Sequence, residues 1–189
     1  MTSKAAFNRG FKAWCENVAV QQRKALALEP FEALDPFQLA KHLGVEVWTV
    51  DQVPGLDSET REVLLKNDPD SWSAVTLSFN NRDLVILNPT QTGGRLSSNL
   101  MHELSHIVIG HRPARVDVSE DGYLMLNSFN RAQEDEAKWL CGCLLLPREA
   151  LLKIRRRGSA FLEARKDYGV SKDMLLFRMR VTGILKSKN

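Results

Sequence analysis

Cysteine is scarce in this chain of 189 residues: Cys15, Cys141 and Cys143 are an odd number and build no disulfide framework. Reduced thiols and a cytoplasmic setting are the expectation that follows. Long apolar runs are missing as well. No stretch approaches the roughly 20 residues that a membrane-crossing helix needs, so no membrane association is expected. Met1 to Gly10 also lacks the run of about seven or more apolar residues at the heart of a signal peptide. No internal repeat and no low-complexity segment interrupts the chain. Histidine is sparse too, at four residues, which makes any pair of histidines in one pattern informative.

What is present is an ordinary globular composition, 43% hydrophobic and 26% charged. The length suits one domain with a full core and is short for two. We therefore expect a single domain over 1–189, with N-terminal helices over 1–43, strands and the motif-bearing helices over 44–150, and a basic helical tail over 151–189. Charge is unevenly placed. Residues 148–189 hold twelve Lys/Arg against four Asp/Glu, whereas residues 1–147 hold 14 against 19. A DNA-binding regulator using Arg155-Arg156-Arg157 on phosphates is one reading of that tail. Basic helix exteriors are ordinarily solvated faces, so direct nucleic-acid binding is not the expectation.

Phe7, Phe11, Trp14 and Val18 recur at helical spacing and predict an amphipathic helix from Ala5 to Leu28, ended by Glu29-Pro30. Asp35-Pro36 reads as an N-cap with proline at the first helical position, and Gly44 closes that second helix, with His42 in its last turn. Val45–Val50, Ala74–Phe79 and Leu84–Leu87 read as strands, the last two joined by a turn at Asn80-Asn81-Arg82-Asp83. Leu96–Gly110, Gln133–Leu146, Arg148–Arg155, Ser159–Asp167 and Ser171–Arg180 read as helices. The order predicts an α+β fold in which a small three-stranded sheet packs on a helical core with a helical C-terminal tail.

The chemistry is carried by His102-Glu103-Leu104-Ser105-His106. Four residues of helix place both imidazoles on one face, where they can grip one divalent ion. Two imidazoles leave positions for a third protein ligand and a water, as hydrolytic zinc sites require and structural ones do not. Glu103 lies about 100° round the helix from His102, placed to reach that water without ligating the ion. It is the expected general base of a zinc metalloendopeptidase with one Zn²⁺ per chain. His111, Glu134 and Glu136 are candidates for the third ligand. The spacing of Gly110 and His111 is not that of a metzincin. Glu134 is favoured because Ala137 and Cys141, on its face, are small enough to pack beside the first helix. Cys141-Gly142-Cys143 reads as core packing.

Taken together, His102–His106, Glu134-Asp135-Glu136-Ala137 and Leu144-Leu145-Leu146-Pro147 resemble the ImmA/IrrE family of bacterial and phage metallopeptidases, over roughly residues 40–150. Ile86-Leu87-Asn88 resembles the family's edge strand and asparagine, and Gly169-Val170-Ser171 the start of its following helix. The resemblance implies a zincin-like fold and a gluzincin-like site with Glu134 as third ligand. It also implies Ile86 and Asn88 as substrate-binding positions on an edge that a scissile segment would extend as an added strand. Lys138 stands where many members have Asn or Asp. The implied substrate is a helix-turn-helix transcriptional repressor, cut in prophage induction or stress responses. A metal-containing anti-repressor that sequesters such a partner without cutting it is the alternative, against which an intact Glu103 argues.

Overall fold

The computed structural model describes residues 7–79, 82–111, 115–118, 124–127 and 130–185. Its first helix, α1 (Phe11–Ala25), is shorter than the apolar period suggests. Gly10 sits at φ 87°, a left-handed geometry that a helix interior does not accept, so the helix can only begin after it. Helix α2 (Pro36–Leu43) follows the pattern closely. Asp35 accepts a hydrogen bond from the amide of Phe37, Pro36 takes the first turn, and Gly44 ends the helix at φ 71°. His42 is exposed there.

Three strands form one sheet in the order β1-β3-β2: β1 (Glu46–Thr49), β2 (Ala74–Phe79) and β3 (Arg82–Leu87). Strand β1 runs parallel to β3 with Trp48 opposite Ile86, while β2 runs antiparallel to β3 with Val75 opposite Ile86. This corrects the expectation for Ile86. It lies on the central strand, hydrogen-bonded on both sides, so no added strand can pair there. Asn88 is fully buried and structural: its amide nitrogen donates to Pro69 O at 2.7 Å and Trp72 O at 3.0 Å, while its oxygen accepts from the amide and hydroxyl of Thr90. These four bonds tie the loop before β2 to the chain leaving β3. Arg82 and Asp83, expected in the turn, already belong to β3; Asn80 and Asn81 lie outside the described residues.

A short helix α3 (Ser58–Glu62), capped by Asp57, runs on into a π-helical turn over Val63–Asn67 between β1 and β2. Helix α4 (Gly94–Ile109) carries the His-Glu-x-x-His motif and packs against β2, β3, α2 and α5 (Arg131–Leu145). Leu100, Met101 and Leu104 of α4 and Leu140, Cys143 and Leu144 of α5 are at 0% exposure, so these two helices are the centre of the core. In the segment between them lies an antiparallel pair, β4 (Arg115–Val118) and β5 (Leu124–Asn127), with Val116 opposite Leu126. Tyr123 of that segment lies outside the described residues.

After α5 come α6 (Arg148–Arg155), a 3₁₀ segment Gly158–Lys166 where an α-helix was expected, and α7 (Lys172–Val181), N-capped by Ser171 as its sequence predicts. Two arginines at 0% exposure bind these parts together. Arg23 of α1 donates to Ala19 O, Glu32 O and Leu144 O, the last at 2.7 Å, and burial lowers its guanidinium pKa to about 10. Arg178 of α7 donates to Leu146 O at 3.1 Å and to Glu16 of α1 at 2.6 Å. A side chain at Gly142 would meet Arg178 Cδ at 2.9 Å, so glycine is what lets this arginine cross α5. Part of the positive surplus of the tail is thus neutralised within the fold: Arg178 pairs with Glu16 in the interior, and Arg157 pairs with Asp167 at the surface.

Candidate metal centre

His102 and His106 stand one turn apart on α4, and their Nε2 atoms lie 3.2 Å from each other. Helix α5 brings a carboxylate to both. Glu134 Oε2 is 3.3 Å from His102 Nε2, and Glu134 Oε1 is 3.2 Å from His106 Nε2. Asn130 makes this possible, because its side chain accepts from the amides of Ala132 and Gln133 and so starts the helix one turn before Glu134. Ala137 and Cys141, both buried, allow close approach, with Cys141 Sγ 3.7 Å from Ser98 O on α4.

The donor set fits a small divalent ion. Ligand bonds of 2.0–2.1 Å in a tetrahedron put neighbouring donors roughly 3.3–3.4 Å apart, against roughly 2.8–3.0 Å in an octahedron. The separation of the two imidazole nitrogens, 3.2 Å, is near the tetrahedral spacing, and each of them has one oxygen of the Glu134 carboxylate at 3.2 to 3.3 Å. Three protein donors leave the fourth position open. Among the described residues, His102, His106 and Glu134 are the group whose ligand atoms cluster in this way.

Glu103 stands beside these donors and reaches the sheet, where Thr76 Oγ1 of β2 donates to its Oε2 at 2.5 Å. Burial pushes the Glu103 carboxyl pKa up, and the Thr76 bond and the neighbouring His102 pull it partly back. Thr76 was not singled out in the sequence. It lies 27 residues from Glu103, and no local signal joins them.

His111 and Glu136, the other two ligand candidates, are not at the ion position. Gly110, at φ 83°, closes α4 with a Schellman turn in which the amide of His111 bonds His106 O at 2.9 Å and that of Gly110 bonds Ile107 O at 3.0 Å. The turn folds His111 back along the helix. Its ring, with the side chain only 7% exposed, places Nδ1 3.0 Å from His106 Nδ1 and Nε2 3.0 Å from Glu136 Oε2. His111 is therefore not the surface histidine that a residue just past a helix end suggests. Lys138 stands on the other side of Glu134, its Nζ 3.9 Å from Oε2.

A His-Glu-x-x-His helix crossed by a second helix that supplies a carboxylate defines a metallopeptidase-type site. The comparison with family models agrees: residues 59–180 match the peptidase M78 family, described as the IrrE N-terminal-like domain, and the chain belongs to that family. It is thus a metallopeptidase of the ImmA/IrrE type, with a protein substrate. No curated protein matches the chain closely enough to stand beside it as a relative. No helix among the described residues is long and apolar enough to cross a membrane.

Proposed function

We propose that the chain is a cytoplasmic, zinc-dependent endopeptidase that cuts one protein partner, a helix-turn-helix transcriptional repressor, in prophage or stress regulation. The observation that carries the catalytic half is the division of labour at the site. His102, His106 and Glu134 converge, while Glu103 stands beside them held by Thr76. When bound, the ion supplies a Lewis acid that polarises the scissile carbonyl and acidifies water. Glu103 Oε2 is occupied by the Thr76 hydroxyl, so Oε1 is the oxygen that takes the proton of the attacking water and later returns it to the leaving amine. Glu103 is buried enough to hold that proton between the two steps.

The sheet supports an extended substrate. Strand β2, whose Thr76 touches the base, is an edge strand in the order β1-β3-β2. A scissile segment adding along β2 would run past Glu103, with backbone hydrogen bonds supplying affinity and alternate side chains supplying selectivity. The repressor as partner rests on the family resemblance.

The test is to incubate the zinc-loaded protein with a helix-turn-helix repressor encoded beside it and to follow fragments by mass spectrometry. Discrete cleavage that Glu103→Gln abolishes is expected. Relief of repression that survives Glu103→Gln would show sequestration instead, and digestion of casein as fast as the repressor would show a general protease.

A further inference from the structure

The strongest unassigned feature is the line of polar groups behind His106. His106 Nδ1, His111 Nδ1, His111 Nε2 and Glu136 Oε2 follow one another at 3.0 Å and 3.0 Å, and they lead away from the Nε2 that faces Glu134. Nothing in the metal-binding motif requires this line. It is built by three separate devices: the left-handed Gly110, which turns His111 back; α5, which carries Glu136 two residues past Glu134; and burial of the His111 ring.

The proton count along this line has one consistent solution. A neutral imidazole has one N–H and one lone pair, and a carboxylate only accepts. Suppose His111 donated through Nδ1 to His106. Its Nε2 would then present a lone pair to the carboxylate of Glu136 at 3.0 Å, two acceptors facing each other in a buried place. In the other assignment both contacts along this line are hydrogen bonds, and the acceptors left facing each other, His106 Nε2 and Glu134 Oε1 at 3.2 Å, are ones that a cation between them would satisfy. His111 Nε2–H donates to Glu136 Oε2, His106 Nδ1–H donates to His111 Nδ1, and His106 Nε2 is left with its lone pair directed at Glu134 and His102. That is the tautomer a metal ligand needs.

We propose that His111 and Glu136 are positioning residues that together favour the tautomer and ring orientation of His106 in which its Nε2 is presented to the ion. Glu136 acts through His111 and does not touch the ion. The proposal rests on His106 being a ligand, the reading given above. Orienting partners of this kind contribute about 10- to 100-fold in metal affinity.

The experiment uses the full chain, with zinc alone as the probe and a competing chromophoric chelator to read the dissociation constant. His111→Ala and Glu136→Ala are each expected to weaken zinc binding about 10- to 100-fold without abolishing it. The double variant should be no weaker than His111→Ala, because the two residues form one line. His111→Asn, whose side-chain oxygen stands near the position of Nδ1 and can accept from His106, should recover most of the loss. ¹H–¹⁵N NMR of the zinc-loaded protein should show the His106 Nδ1–H proton as a hydrogen-bonded, slowly exchanging resonance in the wild type and lost to solvent exchange in His111→Ala.

Unchanged zinc affinity in His111→Ala, additive losses in the double variant, or no recovery in His111→Asn while circular dichroism stays native would each overturn the proposal and leave the metal site standing. A wild-type chain that takes up no zinc, or a His102→Ala chain that binds it as well as the wild type, would overturn the reading of the site itself.

Discussion

Replacing Thr76 by valine keeps the shape of the side chain and removes the one hydroxyl that reaches Glu103. A hydrogen bond to a charged group contributes about 1.5–3 kcal/mol, and a pKa unit corresponds to about 1.4 kcal/mol. Loss of the bond should therefore cost the carboxylate form about that 1.5–3 kcal/mol and raise the Glu103 carboxyl further above its already elevated position. The sign follows from the geometry. The hydroxyl stabilises the carboxylate form, burial opposes that form, and without the hydroxyl only the neighbouring His102 is left against burial. The cleanest assay is a ¹³C NMR titration of the glutamate side chains in the metal-free protein, which needs no substrate, with Glu103→Gln to assign the resonance. Once a substrate is in hand, the acid limb of kcat/KM should move to higher pH while zinc content stays the same. A Glu103 resonance that titrates at the same pH in Thr76→Val and wild type would refute the claim that β2 tunes the base.

Glu134→Ala removes a third of the donor set and should abolish tight zinc binding, whereas Glu136→Ala should only weaken it; equilibrium dialysis separates the two, and the reverse order would mean that the carboxylates are misassigned. In the metal-free protein His106 is held down to about 4, by burial first and then by its neighbour His102, while an unfolded chain takes up that proton near its ordinary value of 6.5. Between those values the unfolded state binds more protons, so folding stability should fall as pH drops from 6.5 toward 4, by at most about 1.4 kcal/mol per unit for this group. Urea melts of wild type and His106→Asn should differ in that slope, and equal slopes would contradict it. Burial raises the Cys141 thiol to about 12, and Cys143 is raised by its hydrogen bond with Cys15 and by burial. A disulfide reagent at pH 8 should find no fast thiol in the native protein and three after denaturation, and a fast native reaction would count against the buried placement of all three.

The parts of this protein that were legible in its sequence are those set by neighbours along the chain. Gly44 and Gly110 mark helix ends because both must take a positive φ, and His102 and His106 share a face because four residues make about one helical turn. Short runs rich in apolar and β-branched residues, joined across an Asn-rich turn, located β2 and β3. Strand order was not legible, because which strand lies in the middle depends on β1 crossing over to pair in parallel with β3, a contact between residues almost forty apart. Ile86 was therefore placed on an edge that it does not occupy. Thr76 escaped notice for the same reason. His111 left a faint signal: a residue directly after a C-terminal glycine is turned back over the last helical turn, so a histidine there is aimed at the residue five before it. That residue is His106.

The two buried arginines set how much of the chain must stay together for the helix bearing Glu134 to exist at all. Carbonyls at the C-terminal end of α5, which no helix can satisfy internally, are held by Arg23 and Arg178, and Arg178 is balanced by Glu16. Glu16 and Arg23 both precede residue 59, where the family match begins. A polypeptide trimmed to the recognisable stretch would keep Arg178 in an apolar interior with its counter-charge gone, a loss of about 3–5 kcal/mol for a broken buried pair. Set against a total folding stability of about 5–15 kcal/mol, that loss removes much of the margin. The stretch by which the family is recognised is thus expected to fold with a much smaller margin than the full chain, and the first helix works as a keystone for a site whose motif it does not share.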